Sequence, residues 1–111
     1  MTIQRINSRG HLSKAVVHNG IAYLAGMTAD DDTQDIKGQM AQVLSAIDET
    51  LAAAGTDKSK LLSSMVYLSD MSVKAEMNAC WMDWIDLDNP PARATVGTVL
   101  GTPGKLVEIM V

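Results

Sequence analysis

Between Ile36 and Leu51 the apolar residues Ile36, Met40, Val43, Leu44, Ile47 and Leu51 are spaced 4, 3, 1, 3 and 4 apart, which marks one face of a helix with 3.6 residues per turn. Such a stripe must be buried against something wide, and a chain of 111 residues has room for only one core. Asp31, Asp32, Thr33 and Asp35 stand where an N-cap and first-turn carboxylates complement the helix dipole. Gly55 follows as a stop, so the spacing predicts a helix over 34–54. Val73, Met77, Cys80, Trp81 and Trp84 trace a second stripe, with Asp70 or Ser72 as cap. Asn89-Pro90-Pro91 forbids its continuation, because proline lacks an amide donor and pushes the preceding residue out of the α region.

The rest of the chain reads as strand. Residues 15–17 and 21–25 are β-prone runs separated by His18, Asn19 and Gly20, a hairpin signature, and a shorter strand is expected ahead of them over 2–6. Further strands are predicted over 61–68, 94–100 and 106–111, the last two joined by a turn through Gly101, Thr102, Pro103 and Gly104. The order β-β-β-α-β-α-β-β describes one α+β sandwich domain over 1–111, with a mixed six-stranded sheet and both helices on one face. Residues 61–68 carry apolar side chains at both parities (Leu62, Val66 and Leu68; Leu61, Met65 and Tyr67), as does the final strand. Two helices cover one side only, so the other face is expected to be buried against further copies of the chain.

Composition narrows the functional classes. Tyr23, Tyr67, Trp81 and Trp84 are the only aromatics, and eight Met help to fill the core in their place. A net charge of -4 argues against a non-specific grip on nucleic acid. The single Cys80 cannot form an intramolecular disulfide or a multi-cysteine metal site, and as a member of an apolar stripe it reads as a core thiol. No apolar run approaches the roughly 18 residues of a membrane span, and the first twelve residues lack a signal-peptide core. The expectation is a cytoplasmic protein without metal or cofactor.

Two residues break their local pattern. Glu108 interrupts the strand Leu106-Val107-Glu108-Ile109-Met110-Val111, and a carboxylate among such neighbours needs a partner. Arg93 follows the stiff Asn89-Pro-Pro-Ala, and its planar fork matches a carboxylate in two parallel hydrogen bonds. If the last two strands pair as a hairpin, Arg93 and Glu108 approach each other, within a chain or across a subunit boundary. Spacing alone leaves two readings open, a structural ion pair and a ligand site.

The segment Asn89-Pro-Pro-Ala-Arg-Ala-Thr-Val, followed by a turn and Lys105-Leu-Val-Glu-Ile, resembles the YjgF/YER057c/UK114 family, also called Rid proteins. Asn78-Ala79 and Ala25-Gly26 fit the same alignment, which covers nearly the whole chain. The opening Met1-Thr-Ile-Gln-Arg-Ile and Val16-Val17-His18-Asn19 are similar to the YoaB-like branch. The resemblance implies a chorismate-mutase-like fold, a homotrimer with clefts between subunits, and cofactor-free hydrolysis of reactive 2-imino acids such as 2-iminobutanoate and 2-iminopropanoate to 2-keto acids and ammonia. It implies that Arg93 holds the substrate carboxylate, helped by the amide of Gly26, and that Glu108 activates water and shuttles protons. Thr95 offers a hydroxyl to orient that water, and Asn78 and His11 line the cleft. Three positions depart from archetypal members, which carry Tyr at Leu12, Ser at Ala25 and Cys at Thr95. Two other functions stand beside deamination: a trimeric module that binds small carboxylate metabolites without turnover, and the endoribonuclease activity attached to some members. The acidic charge and the lack of a histidine acid-base pair disfavour the last.

Overall fold

The computed structural model describes residues 2–111. Six strands and two α-helices follow the expected order: β1 (Gln4–Arg9), β2 (Leu12–His18), β3 (Ile21–Leu24), α1 (Ile36–Ala53), β4 (Ser63–Leu68), α2 (Lys74–Trp84), β5 (Ala92–Gly97) and β6 (Val107–Met110). Single 3-10 turns at Lys58–Lys60 and Met71–Val73 precede β4 and α2. Strands β1-β2-β3 form an antiparallel meander, and β5-β4-β6 form a mixed sheet with β5 parallel and β6 antiparallel to β4. Three backbone bonds join the two sheets: Leu24 N–H to Val111 O (3.1 Å), Met27 N–H to Ile109 O (2.8 Å) and Ile109 N–H to Met27 O (3.0 Å). The six strands thereby make one surface under the helices.

Local chemistry sets the boundaries. Asp35 caps α1 by accepting from the Gly38 amide at 2.9 Å, and Gly55 ends it at φ +82°. The β2–β3 turn places Asn19 and Gly20 at φ +53° and +75°, as a tight hairpin requires. The first strand starts two residues later than expected and runs on to Arg9, because a tight turn at Gly10-His11 lets it pair with β2 up to Leu12. His18, expected within the turn, is the last residue of β2.

The expected hairpin between the last two strands does not form. Helix α2 carries the chain from β4 to β5 as a crossover, which makes those two strands parallel neighbours. β6 then takes the other edge of β4, so β4 separates the strand of Arg93 from the strand of Glu108. β5 also begins at Ala92 rather than Ala94, as the Ala92 amide bonds Leu62 O directly after the prolines.

Burial alternates along the central strands. Ser64, Val66 and Leu68 of β4 and Val107 and Ile109 of β6 face the helices and are buried, together with Met40, Val43, Ile47 and Met77. Met65 and Tyr67 face the other way, beside Met110, Val96, Ile21 and Tyr23, the last of which is 57% exposed. Neither helix covers this second apolar face. No helix of the described residues is long and apolar enough to cross a membrane.

Candidate functional site

Arg93 pairs with Ser64 across the parallel ladder and so points to the helix face of the sheet. There α2 receives it. Asn78 Oδ1 accepts from one terminal nitrogen at 2.6 Å, Met77 Sδ lies 3.9 Å from the other, and the guanidinium carbon sits 5.2 Å from the Trp81 ring centroid. Asn78 thus orients the fork while the indole stacks against its face. Neither hydrogen-bond partner is charged, and burial pushes the guanidinium pKa below its ordinary value. A half-buried cation with spare N–H donors and neutral partners is suited to receive an anion.

Glu108 is built differently. It lies opposite Tyr67, on the face away from the helices, with Val107 and Ile109 on either side buried in the core. Its side chain crosses Gly26 so closely that a Cβ there would fall 3.0 Å from the Glu108 carboxyl carbon. Ala25 and Met27 donate their amides to Lys14 O (2.9 Å) and Ile109 O (2.8 Å), whereas the Gly26 amide takes no partner among the described residues. A carboxylate and a free backbone donor therefore stand side by side.

The two halves do not meet within one chain. From Ser64 to Tyr67 is three residues along β4, and β5 and β6 lie two strand spacings apart. That separates the Arg93 and Glu108 backbones by about 14 Å, with side chains on opposite faces. The within-chain form of the structural ion pair that spacing left open is thereby excluded; its form across a subunit boundary and the ligand site both stay open.

Thr95 shares the face of Arg93, not that of Glu108, and its hydroxyl is buried without a partner among the described residues, as is that of Ser64. An unmet buried hydroxyl costs about 1–3 kcal/mol. His11 is exposed in the turn between β1 and β2, and Leu12 beside it is 44% exposed. Cys80 is half-buried against the core, and Trp81 and Trp84 pack at 5.5 Å between centroids, with the Trp84 indole donating to Asp48 at 2.9 Å. No three His, Cys, Asp or Glu side chains of the described residues gather as metal ligands. A hollow of about 700 Å³ opens elsewhere, between the β2–β3 turn, the end of α1 and Met110; none of the six candidate residues lines it. Its walls are mainly apolar, and the Asp57 carboxylate at its rim is spent on the Ser59 amide and hydroxyl. The candidate surfaces are therefore those of Arg93 and Glu108 and not the hollow.

Gln39 escaped the sequence reading. It is fully buried on the stripe of Ile36, Met40 and Val43, and a polar residue at that spacing was the available signal.

Comparison with known proteins agrees with this architecture. The family model for endoribonuclease L-PSP matches residues 2–111. A RutC family protein of Haemophilus ducreyi is 41% identical over 109 residues, covering 98% of this chain and 93% of that protein. The RutC family protein YoaB of Escherichia coli is 35% identical over 111 residues, covering 100% and 96% respectively. The crystal structure of a YjgF family member from Neisseria meningitidis superposes with a TM-score of 0.96 at 38% identity, covering 99% of this chain and 92% of that one.

Proposed function

Because the chain belongs to the endoribonuclease L-PSP family, the group that includes the RutC, YoaB and YjgF proteins, we propose that it hydrolyses small 2-imino acids to 2-keto acids and ammonia at sites formed between copies. One observation carries this reading: a half-buried guanidinium without a charged partner and a carboxylate beside a free amide lie on opposite faces of one sheet. Each is half of a site. A cyclic assembly sets one protomer's Arg93 face against its neighbour's Glu108 face, since ring interfaces join two different surfaces. The uncovered apolar face of Met65, Tyr67, Val96 and Met110 supplies the area that such an assembly buries. A homotrimer is the ring proposed.

In that site Arg93 grips the substrate carboxylate by two parallel hydrogen bonds, with the Gly26 amide of the adjoining copy as a further donor. Glu108 takes a proton from water as the oxygen attacks the imine carbon, then returns it to nitrogen. Glu108 then takes the proton of the adduct's hydroxyl and passes it to nitrogen as the carbonyl forms, the carbon–nitrogen bond breaks and ammonia leaves. A second reading, a module that binds small 2-keto acids without turnover, is supported by the completeness of the Arg93 half within one chain.

One experiment separates the two. The chain is given 2-iminobutanoate generated enzymatically in place, and ammonia and 2-oxobutanoate are followed while sedimentation reports the assembly. Release above the buffer rate from a trimer is expected. Background release with intact 2-oxobutanoate binding selects the module, and a monomer that binds nothing removes both readings.

A further inference from the structure

Four polar contacts converge on one buried side chain of α1. The Gln39 amide nitrogen donates to Gln34 O and Gly104 O, both at 3.0 Å, and to Asp32 O at 3.5 Å, while its oxygen accepts from the Leu106 amide at 2.8 Å. One side chain on α1 thus joins the loop that follows Gly26 to the turn that precedes β6. Lys105 adds a second tie, through its ammonium to Ala29 O. Leu106 is held from its other end as well, since its carbonyl accepts from Ser69 at 3.1 Å. Two residues later stands Glu108.

We infer that Gln39 is a positioning residue for Glu108: its amide fixes the entry to β6 and so sets where the carboxylate lies above Gly26. β6 has only four residues, and side chains alternate faces along it, so small changes at its start rotate Glu108 relative to Gly26. The burial of Val107 and Ile109 prevents a full slip of register, and the paired Met27–Ile109 bonds fix the strand just past Glu108, which leaves only its entry at Lys105 and Leu106 free to adjust. Gln39 removes that freedom. The inference rests on the acid-base reading of Glu108, and misplacement of a reacting group by about 1 Å costs up to on the order of 100-fold in rate.

Gln39→Met keeps the volume and deletes both the donors and the acceptor. The expected result is a kcat for 2-iminobutanoate at least about tenfold lower, with KM within about threefold. Thr50→Ala, which removes a buried hydrogen bond to Ala46 O elsewhere on α1, is the matched destabilising control and is expected to leave kcat alone. The nuclear Overhauser contact between Gly26 and the Glu108 side chain should vanish in Gln39→Met, while Trp81–Trp84 contacts persist. Retention of both that contact and kcat would overturn the inference. If wild-type protein turns nothing over, the deaminase reading fails while the Gly26–Glu108 contact still decides the role of Gln39. Should Gln39→Met not fold, amide exchange on the unmodified chain decides it: Leu106 must exchange far more slowly than its loop neighbours Gly101 and Thr102, and equal rates refute the clamp.

Discussion

The Arg93 and Glu108 surfaces achieve order by different means. Arg93 is held by side chains of a helix: an amide at 2.6 Å, a thioether and an indole face, all from α2 of the same protomer. Glu108 is held by backbone: two core residues flank it, a glycine lies beneath it, and the Met27–Ile109 bridge runs alongside. On the function proposed above, the first half is complete as an anion receptor within one chain. The second has a carboxylate and a donor but no cation among the described residues, and the proposed function completes it from another copy. The proposed function divides binding and turnover between these faces, so substitutions should divide them too.

The largest effects come from removing either charge. Arg93→Ala is expected to weaken 2-oxobutanoate binding by at least about 100-fold by calorimetry, since two charge-assisted hydrogen bonds are lost, with the assembly retained. Glu108→Gln is expected to keep that affinity within about threefold and to lower turnover by about 100-fold or more. Co-assembling the two inactive variants in equal amounts tests whether the faces cooperate. In a ring, about one interface in four then joins an intact Arg93 to an intact Glu108, so about a quarter of wild-type turnover should return. No recovery in verified mixed assemblies would place the whole site in one chain and break the comparison.

Gly26→Ala probes the Glu108 half alone and should be milder. The new methyl group would overlap the Glu108 carboxyl, but that carboxyl is the free end of a flexible side chain and can swing aside. Turnover should fall about tenfold as the carboxylate leaves its place, with stability changed by about 1 kcal/mol or less in a urea melt. Unchanged turnover would mean that the contact with Gly26 does not set the working position of Glu108.

What the sequence disclosed, and what it hid, follows the same division. The stripe from Ile36 to Leu51 predicts α1 because a helix writes its buried face into spacing; Asp35, one of the polar residues offered for its start, is the cap, so the helix begins at Ile36 and not at the expected Gln34. The family resemblance singled out Arg93 and Asn78 together, and the two touch at 2.6 Å. The neighbour of each strand was not legible. Period-two alternation tells which residues share a face of their own strand, but the insertion of β4 between β5 and β6 is a property of the crossover through α2. That insertion puts Arg93 and Glu108 on opposite edges of β4, and the registers Arg93–Ser64 and Glu108–Tyr67 put them on opposite faces. Gln39 was hidden for another reason: a single polar residue on an apolar stripe looks like noise until Gly104 and Leu106, distant in sequence, are brought to it beside Asp32 and Gln34.

The smallest expected effect concerns the loops that feed the two halves. Asp70 accepts from the Ser72 amide at 2.9 Å in the turn that leads into α2, and that bond holds its pKa below the ordinary carboxylate range. Asp31 does the same for the loop after Gly26, accepting from the Thr33 hydroxyl and amide and from Gln34, with its pKa lowered first by the Thr33 hydroxyl. Both folded-state values lie below the unfolded one of about 3.9, so each group stabilises the fold above that pH and loses its contribution as pH falls through the lowered value. Both carboxylates are fully exposed to water, which screens the gain, so only a slight change in melting temperature is expected. Asp70→Asn and Asp31→Asn should each melt a little below wild type at pH 7, with the gap closing as the pH is lowered below about 4. A gap that widened in acid would reverse the sign of the linkage. A gap at Asp31 alone would show that only the backbone-built half depends on its feeding loop, whereas equal gaps would give the two halves the same support despite their different construction.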